Sequence, residues 1–225
     1  MTRNTNARLA GFMFLFYIAT AFPLLVLSAR VTAGADVAAK LANIAQHVPL
    51  MRVVIVLNLS TFLSALLLAV ALYGITRDED HELAVLALSC RIAESVINAI
   101  STAVPLGLLW IATGDSRASI PVAAFLLKSG DWTMNISATC FAVGSTIFAY
   151  LLLRGRIIPV SLAWLGVAGS ALLVVAVPLQ LIDILRAPVT DLMYLPVGAF
   201  EVIAGFWLLI KGCGAAALGG ARSVT

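Results

Sequence analysis

The chain has 225 residues, of which 62% are hydrophobic and only 11% are charged, less than half of the roughly 25% that is usual in soluble domains. Six helices of about 20 apolar residues each would use about 120 positions, and the polar remainder has no stretch of the roughly 100 residues that a separate soluble catalytic domain needs. The composition therefore excludes a disordered chain and predicts a single integral membrane domain over residues 1–225. The net charge is only +3, and the Lys and Arg residues are scattered among the loop flanks, which excludes nucleic acid binding.

Six apolar segments follow one another along the chain. The first lies at about 9–28; a secretory signal is the alternative interpretation, but the segment is longer than the roughly 7 to 15 residues of a signal core and five more segments follow. The others lie at about 53–75, 83–112, 136–153, 157–181 and 195–211. Each is long enough to cross the hydrocarbon core as a helix, which satisfies its own backbone hydrogen bonds. We therefore predict an all-α fold, a polytopic transmembrane bundle of about six helices.

The connection between the first two segments has a helical pattern of its own. Four apolar residues fall at intervals of four, three and four: Val37, Leu41, Ile44 and Val48. This spacing places them on one helical face, opposite Lys40 and Gln46. It predicts a short amphipathic helix that lies flat at the membrane interface.

The connection from residue 113 to residue 135 contains a second apolar patch, at 120–127. Ser119 is a candidate N-cap for it, and Pro121 falls in the first turn, where proline is tolerated. The patch is too short to cross the bilayer. We predict a short surface or re-entrant helix here.

The orientation prediction depends on the Lys and Arg residues of the loops. With the N-terminus inside, the inner side has Arg3, Arg8, Arg77, Arg154, Arg156, Lys211 and Arg222, and the outer side has Arg30, Lys40, Arg52, Arg117, Lys128 and Arg186. The two totals are nearly equal, but the inner loops are the short ones and the tightest of them contains two arginines. This pattern favours a multi-pass protein with both termini in the cytoplasm.

Three ionisable residues lie well inside the apolar segments: Arg91, Glu94 and Glu201. Each costs a few kcal/mol at the centre of a lone helix and therefore needs a partner. Arg91 and Glu94 are three residues apart and share a helical face, which Asn98 and Thr102 continue. Arg91 and Glu201 also lie at similar depths, roughly 12 and 15 Å from the ends of their segments. We predict a buried cluster in which the Arg91 cation sits between the two carboxylates.

Two interpretations of this cluster stay open. It is either a polar contact that fixes the packing of the helices, or a proton relay or anchor for a polar ligand, because intramembrane charges commonly mark such sites. The candidate ligand or relay residues are Arg91, Glu94, Asn98 and Glu201. Gly198 and Gly205 would let a neighbouring backbone approach Glu201. A polar run of the second segment would line the same cavity: Asn58, Ser60, Thr61 and Ser64.

The sequence lacks several catalytic and metal-binding motifs, and its acidic run Asp78-Glu79-Asp80-His81-Glu82 has no second His or Cys nearby to complete a metal site. His47 and His81 both lie outside the apolar segments, which excludes a transmembrane haem held by two axial histidines. The motifs HExxH, GxSxG and GxxxxGK do not occur. The isolated Cys90, Cys140 and Cys213 are typical of small core residues. We therefore predict no metal site and no cofactor, and we favour a protein without enzymatic activity.

Several short motifs are informative as a set. They are Arg8-Leu9-Ala10-Gly11, Asn43-Ile44, Arg91 with Glu94, the turn Leu153-Arg154-Gly155-Arg156-Ile157-Ile158-Pro159, Trp164-Leu165-Gly166, and Glu201 with the segment from Gly205 to Gly212. In this order and spacing they resemble a widespread family of small bacterial polytopic membrane proteins known only as a domain of unknown function. The resemblance implies a bacterial inner-membrane protein of about six helices in which Arg91, Glu94 and Glu201 match the family pattern. Gly155 departs from that pattern, which has a serine there.

These observations define two expected functions. The first is a non-enzymatic accessory or regulatory membrane protein, whose buried Arg–Glu cluster organises the bundle and binds a small polar ligand or a lipid. The alternative is a small transporter or proton-coupled permease in which Glu94 or Glu201 titrates, and it predicts pH-dependent flux across liposomes. The expected partners are membrane lipid, a small-molecule ligand, and a protein partner or a second copy of the chain.

Overall fold

A computed structural model describes residues 2–114, 120–185 and 187–213. Within these ranges the chain forms eight helices and no strands, which confirms the predicted all-α fold. The helices are α1 (Arg3–Val31), α2 (Val37–Gln46), α3 (Val48–Thr76), α4 (His81–Ser101), α5 (Ala103–Thr113), α6 (Ile120–Arg154), α7 (Val160–Leu181) and α8 (Ala187–Lys211).

Six helical stretches of the described chain are long and apolar enough to cross a membrane. They are α1, α3, the continuous stretch of α4 and α5 from His81 to Thr113, α6, α7 and the Leu192–Lys211 part of α8. Five of them contain the whole of a predicted segment, and α7 begins at Val160, three residues after the predicted start at 157. The chain is therefore a multi-pass membrane protein.

The predicted short helix at 120–127 is wrong as a separate element. Those residues form the first turns of α6, which continues through Gly130 to Arg154 over 35 residues, or about 52 Å. Pro121 lies in the first turn of α6. Backbone N–H groups in the first turn of a helix make no helical hydrogen bond, so the absence of this group in proline does not end the helix. Ser119, the candidate cap, lies outside the described residues.

The predicted single segment at 83–112 is divided at one turn residue, Thr102, between α4 and α5, and the backbone angles of Thr102 stay in the α-helical region. Pro105 explains the interruption, because its ring excludes the carbonyl four residues earlier, that of Ser101, from a helical hydrogen bond. The Thr102 N–H instead donates to the Ala99 carbonyl at 3.2 Å, a tighter turn than that of an α-helix. Pro23 and Pro178, by contrast, lie inside α1 and α7 without ending them.

The first and last helices pack with their backbones in contact. A Cβ added at Gly11 of α1 would lie 2.6 Å from the Gly205 carbonyl oxygen of α8 and would overlap the Leu209 amide nitrogen. Gly205 in turn leaves space for Phe14 and Leu15 of α1, as predicted. Gly198 has no neighbouring atom within 4 Å of the position of a Cβ, so its predicted role in close packing is wrong.

One end of the bundle, which we call the terminal face, holds both ends of the described chain. The Arg3 guanidinium lies 2.7 Å from the Glu79 carboxylate, between α3 and α4, and the Arg154 guanidinium lies 3.0 Å from that of Asp80. The Sγ of Cys213, after α8, lies 3.8 Å from the Arg3 carbonyl oxygen. The two ends therefore lie on the same face, as an even number of crossings requires.

The opposite end, which we call the α2 face, is organised by the predicted amphipathic helix. α2 spans Val37–Gln46, and the Asp36 side chain caps it by accepting from the Ala39 N–H at 2.7 Å. The amide nitrogen of Asn43 donates to the carbonyls of the last turn of α1 and the loop after it, namely Arg30, Val31 and Ala33, at 2.9 to 3.2 Å. α2 is thereby attached to the end of α1 with Ile44 fully buried.

Candidate functional site at the centre of the bundle

The three intramembrane charges lie at one level of the bundle. Arg91 is ten residues from the start of α4 and Glu201 is ten residues from the end of α8, so both lie about 15 Å from the terminal face. That depth is near the middle of a hydrocarbon core of about 30 Å. The exposed fractions are 2% for Arg91, 2% for Glu94 and 6% for Glu201. Protein therefore surrounds all three side chains.

Arg91 and Glu94 form the predicted ion pair within α4. Arg91 Nη1 lies 2.8 Å from Glu94 Oε2, with both side chains 2% exposed. The N–H direction is not aligned with that oxygen, which has no hydrogen bond of good geometry. The contact is therefore an electrostatic pair between residues three apart on one helix, rather than a bidentate hydrogen bond.

The Arg91 side chain is directed from α4 towards α6. Its guanidinium carbon lies 4.7 Å from the centre of the Phe141 ring, a distance typical of a cation–π interaction, and Nη1 lies 3.5 Å from the Ser145 hydroxyl. Gly144 makes room for the stem, because a Cβ there would lie 2.9 Å from Arg91 Cγ. Among the atoms that the structure describes, Arg91 Nε is buried without a hydrogen-bond partner.

Glu201 lines the same cavity as Arg91 but is not its ion-pair partner. Among the described residues, the only carboxylate within 4 Å of the Arg91 guanidinium is that of Glu94. The predicted arrangement, with the cation between two carboxylates, is therefore wrong in this detail. The physical reason is the direction of Arg91, since its stacking on Phe141 of α6 turns the guanidinium towards α6.

The cavity between these charges is small and mostly apolar. Five helices contribute to its wall, with Phe14 from α1, Leu68 from α3, Arg91 from α4, Phe148 from α6 and Glu201 from α8 among the lining residues. Only about 10 Å³ is open to the centre of a water molecule, which is room for about one water. The cavity can hold a water molecule, a proton or a small ion, and it is too small for an organic solute.

Asn98 lies on the predicted polar stripe of α4 but contacts α6 instead of the cavity. Its Oδ1 accepts a hydrogen bond from the Ser137 hydroxyl at 2.8 Å, and the same hydroxyl lies 3.4 Å from the Glu94 carbonyl oxygen. The predicted lining by the polar run of α3 is wrong, because the described wall of α3 is formed by Leu68 and Leu72. Thr61 and Ser64 are buried and donate to carbonyls of their own helix.

Three residues near the cluster escaped the sequence analysis. Phe141 and Ser145 contact Arg91, and Tyr17 of α1 lies within electrostatic range of Arg91, Glu94 and Glu201. Aromatic and hydroxyl residues are common in apolar segments, so nothing in the sequence distinguishes these three from their neighbours. Their depth in the membrane, which is close to that of Arg91, would single them out, but it can be calculated only once the helix ends are known.

The described residues contain no group of three or more His, Cys, Asp or Glu side chains placed to hold a metal ion. In the acidic loop before α4, Asp80 accepts from the Leu83 N–H at 3.2 Å and pairs with Arg154. Cys90 and Cys140 are half-buried and Cys213 is buried, and all three are free thiols. The acidic loop therefore has structural contacts of its own.

Several of the sequence motifs acquire a structural role. Gly11 lets α1 touch α8, and Gly155 accommodates the Glu79 carboxylate, which would lie 2.6 Å from an added Cβ. Gly166 of α7 makes room for the Phe200 ring of α8 in the same way. Asn43 ties α2 to α1. The motifs thus mark places where helices meet.

Comparison with known proteins agrees with this architecture. No curated protein and no solved structure shows a significant match to the chain. A protein-family profile matches residues 9–212, nearly the whole chain, and its description is a domain of unknown function, DUF4386. A multi-pass membrane protein with a buried Arg–Glu pair at its centre, this chain belongs to the DUF4386 family of unknown function.

Proposed function

We propose that this protein is a non-enzymatic accessory or regulatory membrane protein. Its buried Arg–Glu cluster organises the helix bundle and binds a small polar ligand. The candidate ligand-binding residues are Arg91, Glu94 and Glu201, with Asn98 as a neighbour that positions α4 against α6. The membrane is the expected partner of the lipid-facing surface, and a second copy or another protein is a further candidate partner.

The observation that carries this proposal is the convergence of five helices on one cavity that contains Arg91 and Glu201. A polar group in the bilayer core must be satisfied by other protein groups or by water. Any change at the cluster therefore changes contacts on several helices together. Such an arrangement suits a protein that reports ligand occupancy through its packing better than one that catalyses a reaction.

The Lys and Arg residues at the two ends of the bundle also support a location for the protein. Six Lys and Arg residues belong to the terminal face: Arg3, Arg8, Arg77, Arg154, Arg156 and Lys211. Because cytoplasmic loops carry an excess of such residues, we place this face in the cytoplasm of a bacterium, with the protein in the inner membrane. Three of the Lys and Arg residues in the orientation prediction lie outside the described residues. They are Arg117 and Arg186, predicted on the outer side, and Arg222, predicted on the inner side.

Native mass measurement in lipid discs tests the proposal. We expect the wild-type protein to carry a bound small ion that is absent from Glu201→Gln, which keeps the shape of the side chain and removes its charge. Leu195→Ala on the exposed surface of α8 is the matched control and should keep the bound mass. Equal occupancy in wild type and Glu201→Gln, or an empty wild-type protein, would contradict ligand binding at the cluster.

A proton-coupled permease that uses Glu94 or Glu201 is the second candidate. It is favoured by the composition of the cluster, in which Glu94 pairs with Arg91 and a second buried carboxylate, that of Glu201, lines the same cavity as Arg91. The size of the cavity argues against transport of an organic solute, because only about one water molecule fits. A permease also requires access to the site from each face in turn.

A further inference from the structure

We propose that two copies of this chain associate in the membrane through an apolar face of the hairpin that α5 and the first turns of α6 form at the α2 face. We call it the hairpin face, and its large side chains are Leu106, Trp110, Val122 and Phe125. The proposal selects one of the candidate partners named above and does not depend on ligand binding at the buried cluster. It is carried by the lengths of the helices, the exposed charges, the exposure of the face and the symmetry of a membrane.

The membrane-crossing stretches of the described chain differ in length. α7 has 22 residues and the crossing part of α8 has 20, or about 30 to 33 Å, which matches the thickness of a hydrocarbon core. The stretch of α4 and α5 has 33 residues and α6 has 35, or about 50 Å each. Both start from the terminal face, where Asp80 before α4 pairs with Arg154 of α6. Their extra length, about 20 Å, therefore lies at the α2 face.

Exposed charges mark the level at which the long helices leave the hydrocarbon core. Four charged side chains are exposed at about 34 to 40 Å from the terminal face, measured along their helices: Arg30, Arg52, Lys128 and Asp131. Charged residues are costly in the bilayer core, and long charged side chains near helix ends reach its interface. The hairpin face begins at this level and extends to about 48 Å. Most of it therefore lies beyond the lipid tails.

The hairpin face lies on one side of two packed helices. A Cβ at Gly107 of α5 would lie 2.9 Å from Leu126 Cδ1 of α6, which marks the line of contact, and the four residues of the face lie to the same side of that line. They are 50 to 78% exposed, and Trp110, at 78%, is the most exposed large apolar side chain that the structure describes. On the other side, Leu108 and Ile111 are buried against α1, α2 and α3.

The hairpin has no charged side that would face water. Residues 102–114 and 120–127 contain no Asp, Glu, Lys or Arg, and a helix that is apolar on every side is expected to be covered on every side. Lipid tails supply that cover only within the hydrocarbon core. A contiguous exposed apolar patch beyond it marks an interaction surface, and aromatic residues such as Trp110 are typical of the centre of a protein interface.

The membrane favours a second copy as the partner. Copies in one bilayer share an orientation, so a two-fold axis along the membrane normal brings identical residues together at identical heights. The hairpin face is uncharged, so its contact with itself opposes no like charges. Its side chains expose roughly 500 Å², and a symmetric pair would bury about 1,000 Å², the size at which specific interfaces begin. The shared orientation also reduces the freedom that is lost on association.

Native mass measurement tests the association, with the full-length protein transferred together with its surrounding lipid into discs. We expect the wild type to have the mass of two chains. Trp110→Lys combined with Phe125→Lys opposes like charges across the interface, so the mass should fall to that of one chain. Both positions lie beyond the hydrocarbon core, so the helix content should stay that of the wild type. Val26→Lys combined with Ile182→Lys is the matched control, at exposed apolar positions of α1 and of the turn after α7, and should keep the mass of two chains.

A crosslink tests the same contact without the lysine variants. Val122→Cys, at the outer edge of the face, and Ala42→Cys, on the exposed side of α2, are made in the chain whose Cys90, Cys140 and Cys213 are alanine. Both should react with a simple maleimide in native membranes, because both are exposed. A short bis-maleimide should join two chains through Val122→Cys and not through Ala42→Cys.

Several results would overturn the proposal. They are a wild-type mass of one chain, which would leave the face in contact with lipid headgroups, a double lysine variant that keeps the mass of two chains, a different protein in place of the second copy, and equal crosslinking through the two cysteines. The same spectra report the bound ion of the cluster. A single-chain double lysine variant that still carries this ion would support both proposals, and a two-chain wild type without it would contradict only the proposed function.

Discussion

The ion pair of Arg154 with Asp80 and that of Arg91 with Glu94 have nearly the same separation, 3.0 and 2.8 Å, but opposite surroundings. The first lies on the terminal face with side chains 48% and 28% exposed, and the second lies at the centre of the bundle with both at 2%. The first joins the end of α6 to the start of α4. The second lies within a single helix.

The difference shows that the distance between two charges does not determine their effect on stability. The two charges of an exposed pair interact with each other about as favourably as each interacts with water. The net contribution of such a pair to stability is therefore typically about 0–1 kcal/mol. A buried pair does not by itself stabilise more, because desolvation offsets the attraction, but removing one partner leaves an uncompensated charge. The following variants separate these two situations, beginning with the largest expected effect.

Arg91→Leu should be the most damaging substitution. It removes the only cation among the described residues within 4 Å of Glu94 and leaves two buried carboxylates, so we expect the free energy of unfolding in lipid discs or mild detergent to fall by about 3–5 kcal/mol. The double variant Arg91→Leu with Glu94→Leu is the control, and it should recover a large part of that loss. A double variant no more stable than the single one would show that Glu94 is not left uncompensated.

Alanine at two glycines compares the two regions directly. At Gly144 an added Cβ would lie 2.9 Å from Arg91 Cγ and 3.1 Å from the Ala87 carbonyl oxygen, so we expect Gly144→Ala to cost about 1–3 kcal/mol by overpacking. At Gly155 the added Cβ would meet the Glu79 side chain, which is 22% exposed and can move into water. Gly155→Ala should therefore cost less than Gly144→Ala in the same unfolding measurement. The reverse order would show that Glu79 is held rigidly.

Arg154→Gln should have the smallest effect. The exposed pair with Asp80 contributes at most about 1 kcal/mol, and the Asp80 carboxylate still caps α4 through the Leu83 N–H. At about 1 M salt, where screening acts over roughly 3 Å, the unfolding temperatures of wild type and variant should converge. The destabilisation by Arg91→Leu should persist at that salt concentration. A salt-dependent effect at Arg91 would mean that water reaches the buried pair freely.

The sequence predicted those features that the bilayer imposes on any chain. Apolar length fixes the number of crossings, and the cost of an intramembrane charge singles out Arg91, Glu94 and Glu201. Depth was also predictable, because the rise per residue is constant along a helix. The family resemblance drew on these same residues, and the match over residues 9–212 confirms it.

The features that escaped prediction depend on how helices are rotated against one another. The sequence places Arg91 on a face of α4, but it does not say that this face meets Phe141 of α6 rather than Glu201 of α8. The continuity of α6 through 120–127 escaped because a short apolar patch has the same pattern whether it lies on a surface or continues a span. The interruption at Thr102 was signalled by Pro105, although proline also occurs inside continuous helices here, as at Pro23.

The spacing of Arg91 and Glu94 has a consequence for biosynthesis. Each charge would raise the cost of inserting α4 by about 2.5–3.5 kcal/mol at the helix centre, and α6 and α8 are made after α4 as the chain emerges. Because the two residues are three positions apart on one helix, they can neutralise each other as soon as α4 is helical. The helix therefore enters the membrane with its charge already balanced, and Glu201 arrives last, on the helix that packs against α1.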